Sequence, residues 1–367
     1  MRVAVIGGSA ESLVNFRAPM LKAMADLGHE VIACGPDSPD YVVRALKDLG
    51  VDYAQSSFDR TGTNPIADLK AYFGFKRFFK HHQPDVALLY TIKPVIYGSL
   101  AAEYSNVPKV FSMITGAGYV FGDSSPKQRL MKTAIQPLYR KALKNNRKVF
   151  FQNPDDQCLF MNLNLVTGSE QCVLINGSGV DIEHYQEALP LTDRILFLLI
   201  ARLIREKGIY QYVEAARRIK RHYPEVVFRL MGPFDSNPSA ITQMEIEEWH
   251  NEGVIEYLGS TRDVRPYIAE SSVYVLPSYY REGTPKTILE AMSMGRPIIT
   301  TDAPGCRETV THGKNGYLIP VKNVDALVDA LERFIFNPEL IPIMGKESRK
   351  IAEEKYDVRK VNATILN

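Results

Sequence analysis

Two glutamates, Glu282 and Glu290, lie eight residues apart on either side of a Gly-Thr-Pro sequence that follows an apolar, strand-like run. Thr284 is a favourable N-cap, Pro285 suits the first position of a helix, and Gly295 is a suitable helix stop. The sequence therefore predicts a helix that begins at Pro285, ends just before Gly295 and carries Glu290.

The start of this predicted helix has the chemistry of an anion site. The backbone amides of Lys286 and Thr287 have no acceptor within a helix and point outward from its first turn. Glu290 shares a helical face with Thr287, and Glu282 lies in the loop just before the helix. A nucleotide sugar needs this arrangement: amides for the diphosphate, one carboxylate for the sugar hydroxyls and one for the ribose. The alternative is that Glu282 is solvated and Glu290 is an ordinary helix-surface residue.

Two cations follow another predicted strand. Arg202 and Lys207 lie between the apolar run 195–200 and an amphipathic stretch, 208–221, of helical period. Cations at the carboxyl end of a strand can hold a diphosphate leaving group. The alternative is a surface turn that is rich in charge.

Glycine-rich loops follow two strands of the first half. Gly7 and Gly8 come directly after the first strand, and Gly116 and Gly118 follow the strand 109–113. Glycine lets the backbone approach a ligand closely. The alternative for the second of these loops is a tight turn. The first loop is not a GxGxxG sequence, and no acidic residue ends the second strand. The sequence therefore lacks a dinucleotide-binding fingerprint.

The elements that position these residues alternate along the whole chain. Near-continuous apolar runs separated by helix-length amphipathic stretches predict βαβ units and parallel sheets that are buried on both faces. The predicted strands are 2–6, 29–34, 51–56, 85–90, 109–113 and 148–152, then 194–200, 226–231, 254–258, 272–276 and 297–301. The alternation pauses at 187–193, which predicts a domain boundary. The fold class is thus α/β, with two Rossmann-like parallel-sheet domains whose strand ends face a cleft.

Composition agrees with two globular domains. The 367 residues are too many for one ordinary core, and 45% hydrophobic with 23% charged residues is typical of a soluble protein. No uncharged apolar run is long enough to span a bilayer, and the first residues resemble a strand rather than a signal peptide. The four cysteines are far apart and form no CxxC pair, so we expect reduced thiols and a cytoplasmic protein.

Positive charge is concentrated in one segment. Residues 60–148 hold 15 Lys or Arg and four acidic residues, although the whole chain has a net charge of only +2. The stretches 69–82 and 126–148 have the pattern of basic amphipathic helices, which can lie on an anionic membrane. The alternative is two ordinary surface helices. No nucleic-acid-binding module accompanies the charge, so nucleic acid is not expected as a partner.

Taken together, the motifs resemble those of retaining GT-B glycosyltransferases of family 4. Glu282 and Glu290 are similar to the Glu-x7-Glu motif of that family, and Arg202 and Lys207 to its diphosphate-binding pair. The segments 15–19 and 112–121 resemble bacterial N-acetylgalactosaminyl and N-acetylhexosaminyl transferases acting on undecaprenyl-diphosphate-linked sugars.

The resemblance implies a role for each donor-site residue. It implies that Glu282 holds sugar hydroxyls and is the candidate catalytic carboxylate, and that Glu290 binds the ribose. Lys207 and Arg202 would neutralise the departing diphosphate and so serve catalysis as well. The remaining implied donor contacts are Gly8, Val264, Pro285, Lys286 and Thr287.

The resemblance also implies the rest of the molecule's organisation. Residues 1–188 would bind the acceptor, 189–345 would bind the nucleotide sugar, and 346–367 would contain a helix that returns to the first domain. Many relatives carry a histidine near the donor sugar, where this sequence offers Thr91, Lys93 or Thr115. Arg17, Lys93 and Thr115 are the candidate acceptor contacts, because we expect them in loops that face the cleft. The family usually needs no metal, and none is expected here.

The expected activity is retaining transfer of a hexose or N-acetylhexosamine, most specifically N-acetylgalactosamine, from a UDP-sugar to a lipid-diphosphate-linked saccharide in bacterial glycan assembly. The enzyme would be peripheral on the cytosolic face of the inner membrane. One alternative is a UDP-N-acetylhexosamine 2-epimerase of the same architecture, which the two glutamates disfavour. Another is a catalytically inactive sugar-nucleotide-binding subunit.

Overall fold

The computed structural model describes residues 1–56, 58, 64–121, 126–189, 194–237 and 239–367. It divides the chain into two units. The first comprises Met1–Ser178 together with Val358–Asn367, and the second comprises Gly179–Asp357.

The first unit contains a seven-stranded parallel sheet in the order β3-β2-β1-β4-β5-β6-β7. Its strands are β1 (Arg2–Ile6), β2 (Glu30–Gly35), β3 (Asp52–Gln55), β4 (Val86–Tyr90), β5 (Lys109–Ile114), β6 (Lys148–Phe151) and β7 (Cys172–Leu174). Its first six helices are α1 (Ala10–Asp26), α2 (Asp40–Asp48), α3 (Pro65–His82), α4 (Ser99–Tyr104), α5 (Pro126–Leu143) and α6 (Pro154–Asn162).

The sheet of the first unit is covered on both faces. Within β1, Val3 and Val5 pack into one hydrophobic cluster, whereas Ala4 and Ile6 pack into another. Successive side chains of a strand point to opposite faces, so a strand between two cores is apolar at every position. The uninterrupted apolar sequence of β1 follows from this burial.

The second unit contains a six-stranded parallel sheet in the order β10-β9-β8-β11-β12-β13. Its strands are β8 (Leu196–Ile200), β9 (Val227–Met231), β10 (Glu256–Tyr257), β11 (Val273–Leu276), β12 (Ile298–Thr301) and β13 (Gly316–Ile319). Its helices are α7 (Ile209–His222), α8 (Gln243–Asn251), α9 (Arg265–Glu270), α10 (Lys286–Ser293), α11 (Val324–Phe336) and α12 (Leu340–Ile351). The last helix, α13 (Val358–Leu366), belongs to the first unit.

Both sheets have a point at which the strand order reverses. In the first unit β1 lies between β2 and β4, and in the second β8 lies between β9 and β11. Loops that leave two such neighbouring strands turn to opposite faces, and the crevice between them is where open α/β sheets bind ligands. These two points are therefore the natural positions for a site in each unit.

The division between the units differs from the predicted one. It falls after Ser178 rather than after 188, and the returning helix begins at Val358 rather than near 346. The segment 179–188 is bonded to the second unit, since Val180 donates its amide to the Tyr356 carbonyl and Ala188 accepts from Arg296. The sequence pause that suggested the boundary includes residues 190–193, which lie outside the described residues.

Within the part of the chain that the structure describes, no helix combines the length and the apolar character needed to cross a membrane.

Candidate active site

The loops after β8 and β11, at the reversal point of the second sheet, bring Lys207 and Glu282 together. Their side chains form an ion pair in which each is only 12% exposed. Ser278, at the end of β11, donates its hydroxyl to the same carboxylate oxygen, Oε1 of Glu282, at 3.1 Å. The pair is therefore a shielded cation and anion at the edge where a ligand is expected.

The two loops are joined by their backbones as well as by this ion pair. The amides of Tyr279 and Tyr280 both donate to the carbonyl of Glu206, at 2.8 and 3.1 Å. Gly208 has φ +78°, and a Cβ at that position would overlap the Pro277 carbonyl oxygen. Only glycine allows this close approach together with a left-handed conformation.

Helix α10 carries the second glutamate and begins one residue later than predicted. Pro285 is the N-cap with extended backbone (ψ 115°), so the first helical residue is Lys286. Thr284, the predicted N-cap, precedes it. Because the proline keeps a β-region ψ, it precedes the helix rather than occupying its first turn. The first amides of α10 remain the donors of a helix start.

Glu290 is buried in α10 and held on one side. Its Oε1 accepts a hydrogen bond from the Tyr185 hydroxyl at 2.8 Å and lies 3.4 Å from Nζ of Lys286. Burial raises the pKa of Glu290, while Lys286 and Tyr185 oppose the shift. The carboxylate is thus a desolvated acceptor whose orientation is set by two donors.

The side chain of Thr287 is held by a hydrogen bond to a buried tyrosine. The Tyr274 hydroxyl lies 2.6 Å from Oγ1 of Thr287 and 2.9 Å from the Ile200 carbonyl oxygen. This bond connects the first turn of α10 to the carboxyl end of β8.

Two other predicted donor contacts lie beside ion pairs that do not involve Lys207 or Glu282. Nη1 of Arg202 donates to Oδ2 of Asp235 at 2.7 Å, so Arg202 is not paired with the Lys207–Glu282 couple. Val264 is the N-cap residue of α9 and lies between Asp263 and Arg265. The Arg265 guanidinium holds the pKa of Asp263 down to about 2.

In the first unit the glycine-rich loop packs against the end of β4. A Cβ on Gly7 would overlap the Tyr90 hydroxyl, and one on Gly8 would overlap Oγ1 of Thr91. Thr91 itself has φ +68°, a costly conformation for a β-branched residue. The two loops at the reversal point of this sheet are therefore in direct contact.

Two of the three predicted acceptor contacts are not in exposed loops. Arg17 lies within α1, where it is buried, donates to the Ser178 hydroxyl at 3.2 Å and has its guanidinium 4.9 Å from the Tyr90 ring centre. Burial lowers the pKa of Arg17. The loop ends at Ser9, so residue 17 falls two turns inside the helix.

Lys93 is also buried, and its ammonium forms an ion pair with Asp68 at 3.0 Å. The same carboxylate accepts from the Tyr97 hydroxyl at 2.9 Å. Thr115 is half-buried directly after β5, at the carboxyl edge where it was expected.

Four contributing residues were not among the predicted site residues. Ser278 could have been found, because it lies two residues after the apolar run of β11. Asp235 lies after β9, at the same sheet edge as Arg202. Tyr185 and Tyr274 carry no local signal, since their partners are 105 and 13 residues away and depend on packing. Among the described residues, no three His, Cys, Asp or Glu side chains are grouped as a metal site would require.

Family models match consecutive parts of the chain. A glycosyl transferase 4-like domain matches residues 16–176, and the glycosyl transferases group 1 model matches residues 181–351. The first match lies within the first unit and the second within the second unit. The chain therefore belongs to the glycosyltransferases that combine these two domains, and its pair of Rossmann-like sheets is the GT-B fold.

Individual relatives match most of the chain. The chain is 28% identical to the N,N'-diacetylbacillosaminyl-diphospho-undecaprenol alpha-1,3-N-acetylgalactosaminyltransferase of Campylobacter jejuni, over 96% of this chain and 94% of that protein. It is also 28% identical to the Escherichia coli UDP-Gal:alpha-D-GlcNAc-diphosphoundecaprenol alpha-1,3-galactosyltransferase, over 77% and 74% of the two chains. The solved structure of Anabaena Alr3699/HepE in complex with UDP-glucose matches with a TM-score of 0.77 at 18% identity, over 100% of this chain and 98% of that one. The epimerase alternative finds no support in these comparisons.

Proposed function

We propose that this glycosyltransferase transfers N-acetylgalactosamine from a UDP-sugar to a lipid-diphosphate-linked saccharide, with retention of anomeric configuration. The observation that carries the proposal is the shielded Lys207–Glu282 pair at the reversal point of the second sheet, close in sequence to a helix start that bears buried Glu290. The two relatives described above, whose names specify diphospho-undecaprenol-linked acceptors, support the acceptor class.

The donor chemistry follows from charge. Breaking the anomeric C–O bond develops positive charge on the sugar and negative charge on the diphosphate, and preorganised donors stabilise the latter. Lys207, the first amides of α10 and Arg202 are the groups proposed to take up the leaving-group charge. Glu282 would hold the sugar hydroxyls and face the positive charge. No metal has a role in this proposal, so chelation of divalent ions should leave turnover unchanged.

N-acetylgalactosamine is proposed as the transferred sugar, rather than galactose, because the two relatives match different shares of this chain. The relative named as an N-acetylgalactosaminyltransferase matches nearly the whole chain, whereas the galactosyltransferase matches about three quarters of it. The UDP carrier is proposed because the second relative's name includes UDP-Gal and because the matching solved structure binds UDP-glucose.

Acceptor binding is proposed at the carboxyl edge of the first sheet. Thr115 is half-buried there and would contact the acceptor directly. Arg17 is buried, and we propose that its charge acts from behind this edge on the acceptor diphosphate, whereas Lys93 is buried in its ion pair with Asp68 and would support the edge. Arg17 forms no ion pair with an acidic residue among those described, which leaves its charge uncompensated within the protein.

The membrane contact is proposed on α3. Its buried face carries Ala71, Phe75, Phe78 and Phe79. Its outer face exposes Ile66, Leu69 and Phe73, each more than half accessible, beside the exposed cations Lys70, Arg77 and Lys80. An apolar stripe flanked by positive charge is complementary to an anionic lipid surface. We therefore propose that the enzyme is peripheral to the membrane that holds its lipid-linked acceptor.

A donor screen tests the proposed function. The protein is incubated without divalent metal with UDP-, GDP- and ADP-sugars, with and without a short-chain lipid diphosphate bearing an N-acetylhexosamine. Acceptor-dependent release of UDP, with a mass gain of one N-acetylhexosamine in the lipid, is the expected result. Rearrangement of the donor without acceptor, or turnover of a different nucleotide sugar alone, would contradict the proposal.

A further inference from the structure

The segment that opens the second unit forms a compact turn. Oδ1 of Asp181 accepts the amides of Glu183 and His184, both at 3.0 Å. The Tyr185 amide then donates to the Asp181 carbonyl at 2.9 Å. An aspartate that caps its own following residues holds such a turn in one conformation.

Two helices fix the backbone of Tyr185 in place. Its carbonyl oxygen accepts the Ser293 hydroxyl of α10 at 2.7 Å and Nη1 of Arg349, from α12, at 3.0 Å. The same Arg349 nitrogen donates to the Ile182 carbonyl at 3.2 Å. The turn is therefore anchored at both of its ends before the side chain of Tyr185 is considered.

The side chain of Tyr185 is directed at Glu290. Its hydroxyl donates to Oε1 at 2.8 Å, and Lys286 approaches the same oxygen at 3.4 Å. Both donors in the described residues thus act on one carboxylate oxygen, which leaves Oε2 to accept hydrogen bonds from a ligand. A buried carboxylate held in this way cannot rotate without losing a bond that is costly to break in a desolvated site.

We propose that Tyr185 is a positioning residue for donor recognition, which orients Glu290 so that its second oxygen accepts from the ribose hydroxyls of the nucleotide. This inference rests on the proposed function and on the ribose contact that the resemblance to family 4 implies for Glu290. Tyr185 is not a catalytic residue, because it acts through Glu290. Its effect is therefore confined to ligands that carry ribose hydroxyls.

The residue before Tyr185 connects the same turn to the first residue of α9. Nδ1 of His184 lies 3.4 Å from Nη1 of Arg265, which is paired with Asp263. These residues flank Val264, which is one of the donor contacts implied by the resemblance. One turn thus contacts both the carboxylate of Glu290 and the residues on either side of Val264.

A ligand comparison tests the inference on the full-length protein. Calorimetry measures the dissociation constants of UDP and of 2',3'-dideoxy-UDP for the wild type, Tyr185→Phe and the control Tyr212→Phe. The control also loses a buried hydroxyl. That hydroxyl donates to the Phe197 carbonyl at 2.9 Å and not to Glu290. We expect Tyr185→Phe to weaken UDP binding about tenfold and to leave dideoxy-UDP binding unchanged, since one hydrogen bond to a charged group is affected. The control Tyr212→Phe should leave the dissociation constants of both nucleotides unchanged.

A second arm separates positioning from a structural role. In a Glu290→Gln background, the added Tyr185→Phe change should weaken UDP binding less than twofold. In the wild-type background, Tyr185→Phe should raise the donor KM more than it lowers kcat. Equal losses for UDP and dideoxy-UDP, or no loss for either, would overturn the inference while the proposed function stands. If the wild type binds both nucleotides equally or binds neither, the ribose role of Glu290 is itself wrong, and the inference is rejected with it.

Discussion

Lys207 and Glu282 present opposite charges from two loops that follow neighbouring strands of the second sheet. Each side chain would be costly to bury alone, and together they form a shielded ion pair at the sheet edge where the donor is proposed to bind. Lys207 is proposed to contact the leaving group, whose charge is greatest in the transition state. An interaction that strengthens in the transition state contributes to kcat rather than to substrate affinity.

We therefore predict that Lys207→Ala lowers kcat about a hundredfold and changes the donor KM much less. Arg205→Ala is the matched control, because Arg205 lies in the same turn and is exposed. Steady-state kinetics with the UDP-sugar give both constants, and a melting curve shows whether loss of the ion pair has destabilised the fold. Unchanged kinetics in Lys207→Ala would mean that the site has been placed wrongly.

Glu290 gives a prediction for pH dependence. Burial raises its pKa above the ordinary value for a glutamate, and Lys286, Tyr185 and His184 oppose the shift. The carboxylate therefore takes up a proton at a less acidic pH than an exposed glutamate would, and the protonated form is a poorer acceptor for ribose hydroxyls. We expect the donor KM to rise as pH falls through this raised pKa.

Glu290→Gln is the control for this profile, because it cannot titrate. Its donor KM should be high and independent of pH over the same range, as measured by initial rates at saturating acceptor. A wild-type profile that parallels that of Glu290→Gln would contradict the assignment.

At the scale of elements, the join between β8 and β11 depends on Gly208. Gly208 and Gly253 both have left-handed backbone, with φ +78° and +75°, but a Cβ on Gly253 would meet nothing within 4 Å. Gly253→Ala should therefore cost about 1 kcal/mol of unfolding free energy from backbone strain alone. Gly208→Ala should cost at least about 2 kcal/mol more, because its Cβ would also overlap the Pro277 carbonyl. Equal losses in chemical denaturation would show that the close approach is not required.

Helix α3 carries the prediction for membrane attachment. Replacing Leu69 and Phe73 together by Ser removes the centre of its exposed apolar stripe. We expect co-sedimentation with vesicles rich in anionic lipid to fall several-fold. Phe336→Ser is the control, since Phe336 is equally exposed on α11 of the second unit. Equal binding of the wild type to anionic and neutral vesicles would contradict the proposal.

The sequence predicts elements well where several residues share one periodicity. Apolar runs such as 2–6 and 297–301 match β1 and β12 closely, because burial on both faces requires an apolar residue at every position. The four-residue strand β13 is missed, since it begins on a glycine and offers too short a pattern. The predicted strand 254–258 contains only the two-residue strand β10 at the sheet edge.

Site residues can be predicted where a recognisable sequence pattern positions them. Lys207 and Glu282 are predictable because each follows a recognisable strand, and parallel strands end at one edge. The bond between Tyr185 and Glu290 joins positions 105 apart, and it depends on a turn anchored by Ser293 and Arg349. The sequence predicts Arg17 in a loop, whereas it lies inside α1, which begins at Ala10. Its contacts with Ser178 and Tyr90 depend on packing and are not indicated by any sequence spacing.

At the scale of the whole molecule, two family models and two structural units divide the chain at nearly the same place. The models meet between residues 176 and 181, and the units meet between Ser178 and Gly179. The residues just beyond this division, 181–188, are bonded to α10, to α12 and to Arg296 before β12, all in the second unit. The chain that connects the two domains is thus also part of the proposed nucleotide site.

The anomeric configuration of the product is the most direct test of the proposed activity. The protein is incubated with UDP-N-acetylgalactosamine, whose glycosidic bond is α, and a short-chain lipid-diphosphate-linked saccharide, and the purified product is analysed by NMR. We predict one added N-acetylgalactosamine in α linkage, formed only when the acceptor is present. A β-linked product, or a donor that is epimerised without transfer, would contradict it.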